Sequence, residues 1–165
     1  MKKKYLLILA LLFVLVIVLL IFILSKPSDT KSKSYSKEKY KLESTVVFKS
    51  ADDILSVLWV EVAETPYEHS KGLMYRNYMP DSVGMLFIYP GSEERSYWMQ
   101  NTRISLDIIY ISDEMKIVSA YEFTIPYSED GLPSHEACKY VIETNAGYMD
   151  EHRIEVGDRI VINNL

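Results

Sequence analysis

Cysteine and histidine are scarce in this chain of 165 residues, which contains one cysteine, Cys138, and three histidines. A single cysteine cannot form an intrachain disulfide or supply a zinc site built from several thiolates, so both are excluded. The histidines lack metal-binding pair spacing, and the sequence contains no P-loop, GxGxxG fingerprint or GxSxG nucleophile elbow. These absences leave nucleotide-dependent catalysis without support and weaken the case for a hydrolase.

Basic residues are few in the larger, C-terminal part of the chain. Residues 57–165 carry eight Lys or Arg against eighteen Asp or Glu, whereas residues 1–56 carry ten against five. An acidic domain repels a phosphate backbone, and no basic stripe offsets this beyond the N-terminal region. We therefore expect no nucleic-acid partner.

Charged residues are absent from positions 5–24, a run of twenty mostly aliphatic side chains. At about 1.5 Å per residue, a helix of this length spans about 30 Å, the thickness of the hydrocarbon core of a bilayer. A cleavable signal peptide is the alternative, but its apolar region is usually shorter and ends in small residues. The run therefore predicts an uncleaved membrane anchor over residues 1–24.

The lysines around this run give conflicting signals for its orientation. Lys2, Lys3 and Lys4 favour a cytoplasmic N-terminus, whereas six further lysines lie between residues 26 and 41. A very short tail with three lysines is typical of a signal anchor, so we predict a single-pass protein with its soluble domain outside the cytoplasm. Residues 25–41, rich in Ser and Lys, are too polar to fold and predict a stalk before a soluble domain at 42–165.

The soluble part has the pattern of a small β domain. Short runs rich in Val, Ile, Phe and Tyr alternate with turn signals, and none is long enough for repeated helical crossovers. A capping box from Thr65 to Glu68 predicts a short helix that ends at Gly72, and a second short helix is predicted between Gly147 and His152. The pattern predicts a mainly β fold, an antiparallel sandwich or barrel with two short helices and a long loop at 126–138. Strands are predicted at 44–49, 56–63, 85–89, 95–99, 106–111, 115–125, 140–144 and 159–162, those from 85 to 125 forming a meander.

Several short blocks follow one another along the soluble part. They are Val60-Glu61-Val62-Ala63, Gly72-Leu73-Met74-Tyr75-Arg76, Gly84-Met85-Leu86-Phe87, Trp98-Met99-Gln100-Asn101-Thr102, Leu106-Asp107-Ile108, Tyr140-Val141-Ile142-Glu143, Ala146-Gly147 and Val156-Gly157-Asp158. Over residues 57–162 this order resembles the domain-of-unknown-function 192 family. The resemblance implies a small domain of jelly-roll-like β architecture, often carried behind a signal or membrane segment in bacteria and archaea, with no established activity. Ser105 departs from the family pattern, which usually has proline there, so we expect a less rigid turn into the next strand.

Asp107 lies in an apolar strand, where alternation puts it on the same face as Ile109 and Ile111. An ionised carboxylate among apolar neighbours needs a cation or several hydrogen-bond donors, and Arg76 and Arg103 are candidate cations. One hypothesis is a structural ion pair beneath a turn. The other is a ligand pocket in which Arg76 holds an anionic or hydroxyl group and Asp107 orients it.

Two classes of function remain open from the sequence. The first is a membrane-tethered, noncatalytic binding or accessory module for a small ligand or a protein, because aromatic and amide groups are gathered without a nucleophile–base pair. Its candidate ligand-binding residues are Arg76, Trp98, Asn101, Thr102 and Asp107. The second is an uncharacterised, hydrolase-like enzyme in which Asp107 acts as acid or base. The sequence identifies no other catalytic residue, and we predict neither a metal ion nor a cofactor.

Three methionines suggest a less favoured alternative, a copper(I) site. Met74, Met85 and Met99 fall in the blocks above, the last of them beside Trp98, and thioethers are soft ligands that suit Cu(I). Methionine is also an ordinary filler of irregular cores, and packing alone explains Met85 in an apolar strand. Packing is therefore the favoured interpretation of these side chains.

Overall fold

The computed structural model of the chain describes residues 40–164. The predicted membrane anchor at 1–24 and nearly all of the predicted stalk lie outside the described residues. Within residues 40–164, no helix is long and apolar enough to cross a membrane.

Strands dominate the described residues, as the sequence predicts, and two short helices accompany them. Seven strands form one sheet in the order β6-β5-β8-β3-β2-β1-β9, and β4 pairs with β7 in a separate two-stranded sheet. The elements are β1 (Ser44–Ser50), β2 (Asp53–Ala63), α1 (Pro66–Lys71), β3 (Val83–Glu93), β4 (Ser96–Tyr97), β5 (Leu106–Ile111), β6 (Ile117–Tyr121), β7 (Leu132–Pro133), β8 (Cys138–Asn145), α2 (Tyr148–His152) and β9 (Arg159–Asn163).

The large sheet is mixed, which corrects the prediction of an antiparallel fold. Strands β2 and β3 pair in parallel, whereas the other pairs within this sheet are antiparallel. Parallel neighbours need a crossover connection, and the chain from 64 to 82, which includes α1, provides it. The predicted meander is also wrong, because β8 lies between β3 and β5 and separates them.

The two edges of the large sheet approach each other without closing a barrel. A single bridge pairs Lys116 with Arg159, beside hydrogen bonds from Ile117 N to Asp158 O (2.8 Å) and from Ile160 N to Met115 O (2.9 Å). Strands β6 and β9 form no continuous ladder. The described residues therefore form a curled open sheet with a two-stranded companion, in place of the expected sandwich or closed barrel.

Both faces of the sheet are covered by apolar packing. Strand β5 shows this directly, because Ile109 and Ile111 join one buried cluster while Leu106, Ile108 and Tyr110 join another. We call the face of Ile109 the first face and the face of Ile108 the second face. The alternation predicted for this strand is confirmed. All six residues of β5 are consequently buried.

Different parts of the chain cover the two faces. Tyr148 and Met149 of α2 pack in the cluster of the first face. Leu73 and Met79, from the segment after α1, pack with Met99 in the cluster of the second face. The second face therefore carries the segment with the Gly72–Arg76 block.

The structure confirms the hairpin and the helix cap that the sequence predicts on either side of β2. The β1–β2 hairpin forms as predicted. The capping box of α1 is complete, since Thr65 Oγ1 accepts from Glu68 N at 3.2 Å and Glu68 Oε2 accepts from Thr65 N at 2.9 Å. Gly72 ends this helix with a φ of 44°, a left-handed value that favours glycine.

Three other local predictions are corrected. The strand predicted at 85–89 continues as β3 through Pro90 and Gly91, across an irregular register, to Glu93. The strand predicted at 115–125 ends at Tyr121, because Thr124 turns back to Leu106 and Phe123 adopts a φ of 51°. The loop predicted at 126–138 contributes β7, which pairs with β4.

The ordered domain includes the last residues of the predicted stalk. Tyr40 is only 3% exposed and packs in the cluster of the second face. The backbone N–H of Lys41 donates to Glu61 Oε1 at 2.9 Å. The folded part of the chain therefore extends to at least Tyr40 on its N-terminal side.

Candidate functional site

Asp107 has a structural role on the first face, where it binds backbone N–H groups of the chain that packs over β5. Its side chain is fully buried and accepts three backbone hydrogen bonds, from Phe123 N (2.9 Å) and Gly147 N (3.1 Å) to Oδ1 and from Met149 N (3.0 Å) to Oδ2. Gly147 is the N-cap residue of α2 and has no side chain to cap the helix. The carboxylate of Asp107 therefore supplies from β5 the cap that α2 cannot supply itself.

The predicted ion pair of Asp107 with an arginine is wrong. Arg76 pairs with Glu61, and Arg103 Nη1 donates to Asn77 Oδ1 at 2.7 Å. Backbone N–H groups take the place of the expected guanidinium because α2 folds directly over this part of β5. Both oxygens of Asp107 are occupied below the surface, so the structure gives this residue no route to a bound substrate as acid or base.

A cleft of about 180 Å³ opens on the second face, next to α1. It lies beside the Gly72 turn, with β3, β4 and β8 contributing to its walls. Its lining residues are His69, Ser70, Lys71, Gly72, Leu73, Met74, Phe87, Tyr89, Ser96, Tyr97, Trp98, Thr102 and Glu143.

Glu143 is the acidic group of this cleft. The residue lies on β8, one position from Ile142 of the first face, and is 6% exposed. Its Oε2 is buried and has no hydrogen-bond partner among residues 40–164, which is uncommon for a buried polar atom. Burial raises the pKa of Glu143 to about 8, against an opposing effect from the charge of Arg76. The side chain is therefore mostly a neutral carboxylic acid at pH 7.

Gly72 lies directly against this acid. A Cβ atom at this position would lie 3.3 Å from Phe87 Cζ and 3.6 Å from Glu143 Oε2. The residue also has the positive φ that ends α1. A larger side chain would consequently strain the backbone and crowd the Phe87 ring, while its Cβ would touch the carboxyl group.

A second acid lies close to Glu143 on the same face. The register pairs Glu61 of β2 with Met85 of β3, and Met85 with Glu143 of β8, so the two acids flank this methionine. Glu61 Oε2 forms an ion pair with Arg76 Nη2, in which the side chains are 12% and 25% exposed. Arg76 is thus committed to Glu61, while its charge still acts on Glu143.

Aromatic rings form one wall of the cleft, which we call the aromatic wall and define as Phe87, Tyr89 and Tyr97. The edge of one ring meets the face of the other where Phe87 and Tyr97 pack, with centroids 5.3 Å apart. The hydroxyl groups of Tyr89 and Tyr97 share a hydrogen bond of 2.8 Å. Burial raises the pKa of both tyrosines, so both hydroxyl groups remain protonated at neutral pH.

His69 supports the aromatic wall from α1. Its Nε2 lies 3.0 Å from Ala63 O and 3.1 Å from Ile88 O. Because both partners are carbonyl oxygens, Nε2 must carry the proton and donate. The imidazole also packs on Tyr89, with ring centroids 4.2 Å apart. These contacts assign His69 to holding α1 against the sheet.

The structure brings some of the sequence-predicted site residues to this cleft. Trp98 lies at its rim, half exposed, and Thr102 lines it from a buried position. Arg76 lies beside it, engaged with Glu61. Asn101 is not among the lining residues, but its carbonyl accepts from Tyr75 N at 2.9 Å and so supports the chain next to Arg76.

Sequence reasoning missed Glu143 and Glu61 as site residues. Each is an acid within an apolar strand, which is the same signal that drew attention to Asp107. Applied to Val60-Glu61-Val62 and Val141-Ile142-Glu143, this signal would have included both. It cannot tell which acid has partners, because those partners come from distant parts of the chain.

The methionines proposed for copper(I) occupy different surroundings. Met74 lines the cleft, Met85 lies between the two acids, and Met99 is buried with its sulfur accepting from Thr124 Oγ1 at 3.3 Å. The copper(I) site stays a prediction. Among residues 40–164, no three His, Cys, Asp or Glu side chains group as metal ligands.

Comparison with known proteins connects the chain to a family and to solved structures. The DUF192 family model, described as "Uncharacterized ACR", matches residues 46–162. A "putative transcription regulator" from Sinorhizobium meliloti 1021 is 33% identical, with a TM-score of 0.70, over 74% of this chain and 95% of that one. A protein of unknown function from Novosphingobium aromaticivorans DSM 12444 is 31% identical, with a TM-score of 0.68, over 71% of this chain and 83% of that one. No match was found among curated proteins.

Proposed function

Since the chain belongs to the DUF192 family, whose description assigns no activity, we propose a function from the cleft itself: noncatalytic binding of a small ligand. The ligand site consists of Glu143, the aromatic wall and Trp98. We further propose that residues 1–24 tether this domain to a membrane and place it outside the cytoplasm. The apolar run at 5–24 and the three lysines before it support the tether and its orientation.

The buried Oε2 atom of Glu143 is the observation that carries this proposal. More than about nine in ten buried polar groups in proteins have a hydrogen-bond partner, and leaving one unmade costs about 1–3 kcal/mol. Residues 40–164 supply no partner to this oxygen. A ligand that brings a donor into the cleft would satisfy it.

The dimensions of the cleft suit a small molecule or one end of a larger one. A volume of about 180 Å³ is close to that of an engineered cavity of about 150 Å³ that holds benzene. The aromatic wall gives apolar contact, while Glu143 and Thr102 add polar atoms. Ligand sites combine apolar contact with precisely placed polar groups that fix the orientation of the ligand, and this cleft offers both kinds of contact.

The absence of a paired nucleophile supports a noncatalytic role. Ser70 and Ser96 line the cleft, but within the described part of the chain neither forms a hydrogen bond to a histidine or a carboxylate. The Nε2 atom of His69 is occupied as a donor to two carbonyl groups. Activation of a hydroxyl nucleophile requires a base within hydrogen-bond reach.

A second candidate function is proton transfer by Glu143 in an enzyme. An acid whose pKa is raised to about 8 in a cleft is suited to general acid–base chemistry near neutral pH. This moves the catalytic alternative from Asp107 to Glu143. The regulator name of the S. meliloti protein is not carried over to DNA binding here, because residues 57–165 are strongly acidic.

The test uses the two tryptophans of the chain as local reporters. Trp98 lies at the cleft, while Trp59 is exposed to a similar degree on β2 and does not line it. In the Trp59→Phe variant, a library of small compounds is screened for changes in Trp98 fluorescence, and the Trp98→Phe variant is the matched control. We expect compounds that alter Trp98 and leave Trp59 unchanged. If no class of compound perturbs Trp98 selectively, the proposed ligand site is wrong.

A further inference from the structure

We propose that the ligand of this cleft is a small organic cation, whose ammonium or guanidinium N–H group binds the buried oxygen of Glu143. This inference rests on the proposed function and names its ligand class. It starts from the side chains that surround Glu143, because they decide which partner the carboxyl group lacks.

Titratable and charged groups from several elements lie near Glu143, and none of them donates to Oε2. Arg76, from the segment after α1, is paired with Glu61 of β2. Tyr89 and Tyr97 bond to each other. The remaining groups are Tyr110 of β5, whose hydroxyl donates to Leu132 O, and His69 and Lys71 of α1, the first donating to backbone carbonyls and the second exposed at the cleft mouth. The described residues therefore leave Oε2 without a partner, and a bound molecule can supply one.

A cation suits this oxygen better than a neutral or anionic group. A charged donor to a carboxylate forms a bond roughly twice as strong as a neutral pair. Once Glu143 is ionised, its charge would instead repel an anion at this oxygen. Residues 57–165, with eighteen acidic and eight basic side chains, also attract cations from solution.

The indole of Trp98 favours the same class of ligand, whereas the ring of Tyr89 already packs against Arg95 and His69. The faces of tyrosine, tryptophan and phenylalanine attract cations within about 6 Å of the ring centroid. The protein itself uses Tyr89 in this way, since the guanidinium carbon of Arg95 lies 3.4 Å from its ring centroid. Trp98 at the rim remains half exposed and accessible to a bound ammonium group.

Binding of such a cation exchanges a proton for a charged ligand. Below pH 8 Glu143 is mainly protonated, so it releases its proton to solvent as the ammonium group binds, and no covalent bond of the ligand changes. The affinity should therefore rise about tenfold per pH unit up to about pH 8 and level off above it. A neutral ligand that accepts a hydrogen bond from the protonated acid would show the opposite trend.

The experiment uses the full-length Trp59→Phe chain in detergent micelles, with benzylammonium chloride and benzyl alcohol as probes of matched shape. Trp98 fluorescence and titration calorimetry in two buffers of different ionisation enthalpy measure affinity and proton release. At pH 8 we expect benzylammonium to bind at least about tenfold more tightly than benzyl alcohol. Below that pH, binding of benzylammonium should release a proton from Glu143. The same titration on Trp98→Phe corrects for partition of the probes into micelles.

Variants at acidic residues complete the test. Glu143→Gln should lose the preference for benzylammonium and the pH dependence, whereas Glu151→Gln, an exposed acid on α2, should retain both. If Glu143→Gln fails to fold, the pH dependence of binding and the proton release measured on the Trp59→Phe chain still test whether the ligand is a cation. Equal, pH-independent binding of benzylammonium and benzyl alcohol would show that the ligand is not a cation. A response of Trp98 only to other compounds would show the same. Either result would still be consistent with the proposed ligand site. Failure of every compound class would overturn both the cation and the ligand site.

Discussion

Replacing Glu143 with glutamine should stabilise the domain at alkaline pH and change its stability little at acidic pH. Glutamine has nearly the same shape as glutamic acid but cannot ionise. In the wild type, folding buries a carboxyl group whose charged form is disfavoured, since the described residues give Oε2 no partner. The free energy of unfolding should therefore fall as pH rises through the interval in which the unfolded chain loses this proton and the folded chain keeps it.

The size of this effect follows from the two pKa values. The pKa of Glu143 rises from 4.5 to about 8 on folding, and each pH unit between them corresponds to about 1.4 kcal/mol. The native state binds more protons in this interval, so the wild type loses about 5 kcal/mol of stability between pH 4.5 and pH 8. The loss is complete above pH 8 and absent below pH 4.5. It is large beside a total stability of about 5–15 kcal/mol.

Urea unfolding across this pH range measures the effect. The chain is shortened to residues 36–165, which form one compact unit. The informative quantity is the difference in unfolding free energy between Glu143→Gln and wild type, because contributions from other titrating groups cancel in it. Glu151→Gln, with the same change at an exposed position on α2, is the control and should show almost no pH-dependent difference.

A difference in unfolding free energy between Glu143→Gln and wild type that does not change with pH would refute the reasoning. If Glu143→Gln and wild type differ by the same amount at both ends of the range, the pKa of Glu143 is not raised on folding. If the variant is less stable at every pH, the carboxyl group makes a stabilising contact that the structure does not show. Either result would also remove the main observation behind the ligand site.

Four further predictions address the cap, the helix, the domain boundary and the topology. Asp107→Asn should destabilise the domain by about 2–4 kcal/mol in urea unfolding, because it removes charge-assisted hydrogen bonds to backbone N–H groups. The control, Asp113→Asn at an exposed position, should be nearly neutral. An unchanged unfolding midpoint in Asp107→Asn would contradict its capping role. Thr65→Ala should lower stability by about 1 kcal/mol through loss of the capping box, and equal stability would show that α1 needs no cap. A chain that starts at Glu43 should melt at lower temperature than one that starts at Ser36, since it lacks Tyr40, and coincident melts would mean that this side chain adds nothing. Protease added to intact cells should release the domain, whereas protection until lysis would place it in the cytoplasm.

Some features follow from short stretches of sequence because their physical cause is local. The period of two along Leu106–Ile111 correctly assigns each side chain of β5 to one of two faces. The capping box between Thr65 and Glu68 correctly places the start of α1, since both bonds form within four residues. The ordered blocks along the chain also identify the family correctly.

Strand pairing was predicted less well because it depends on long-range contacts. Strand β3 could pair with β5 in a meander, but β8, which begins 45 residues after the end of β3, lies between them. The parallel pairing of β2 and β3 likewise depends on where the crossover through α1 leads the chain. Neither outcome is visible in the apolar pattern of a single strand.

The two buried acids separate what the sequence determines from what the tertiary structure decides. Asp107 and Glu143 show the same pattern, an acid inside an apolar strand, and the sequence alone determines that each needs partners. Asp107 meets three backbone donors because the start of α2 and the chain at Phe123 fold over it. Glu143 lies against the turn at Gly72, and within the described part of the chain its Oε2 has no partner. Only the tertiary structure makes this distinction, because hydrogen bonds act over a few ångströms and the groups within that range come from distant parts of the chain.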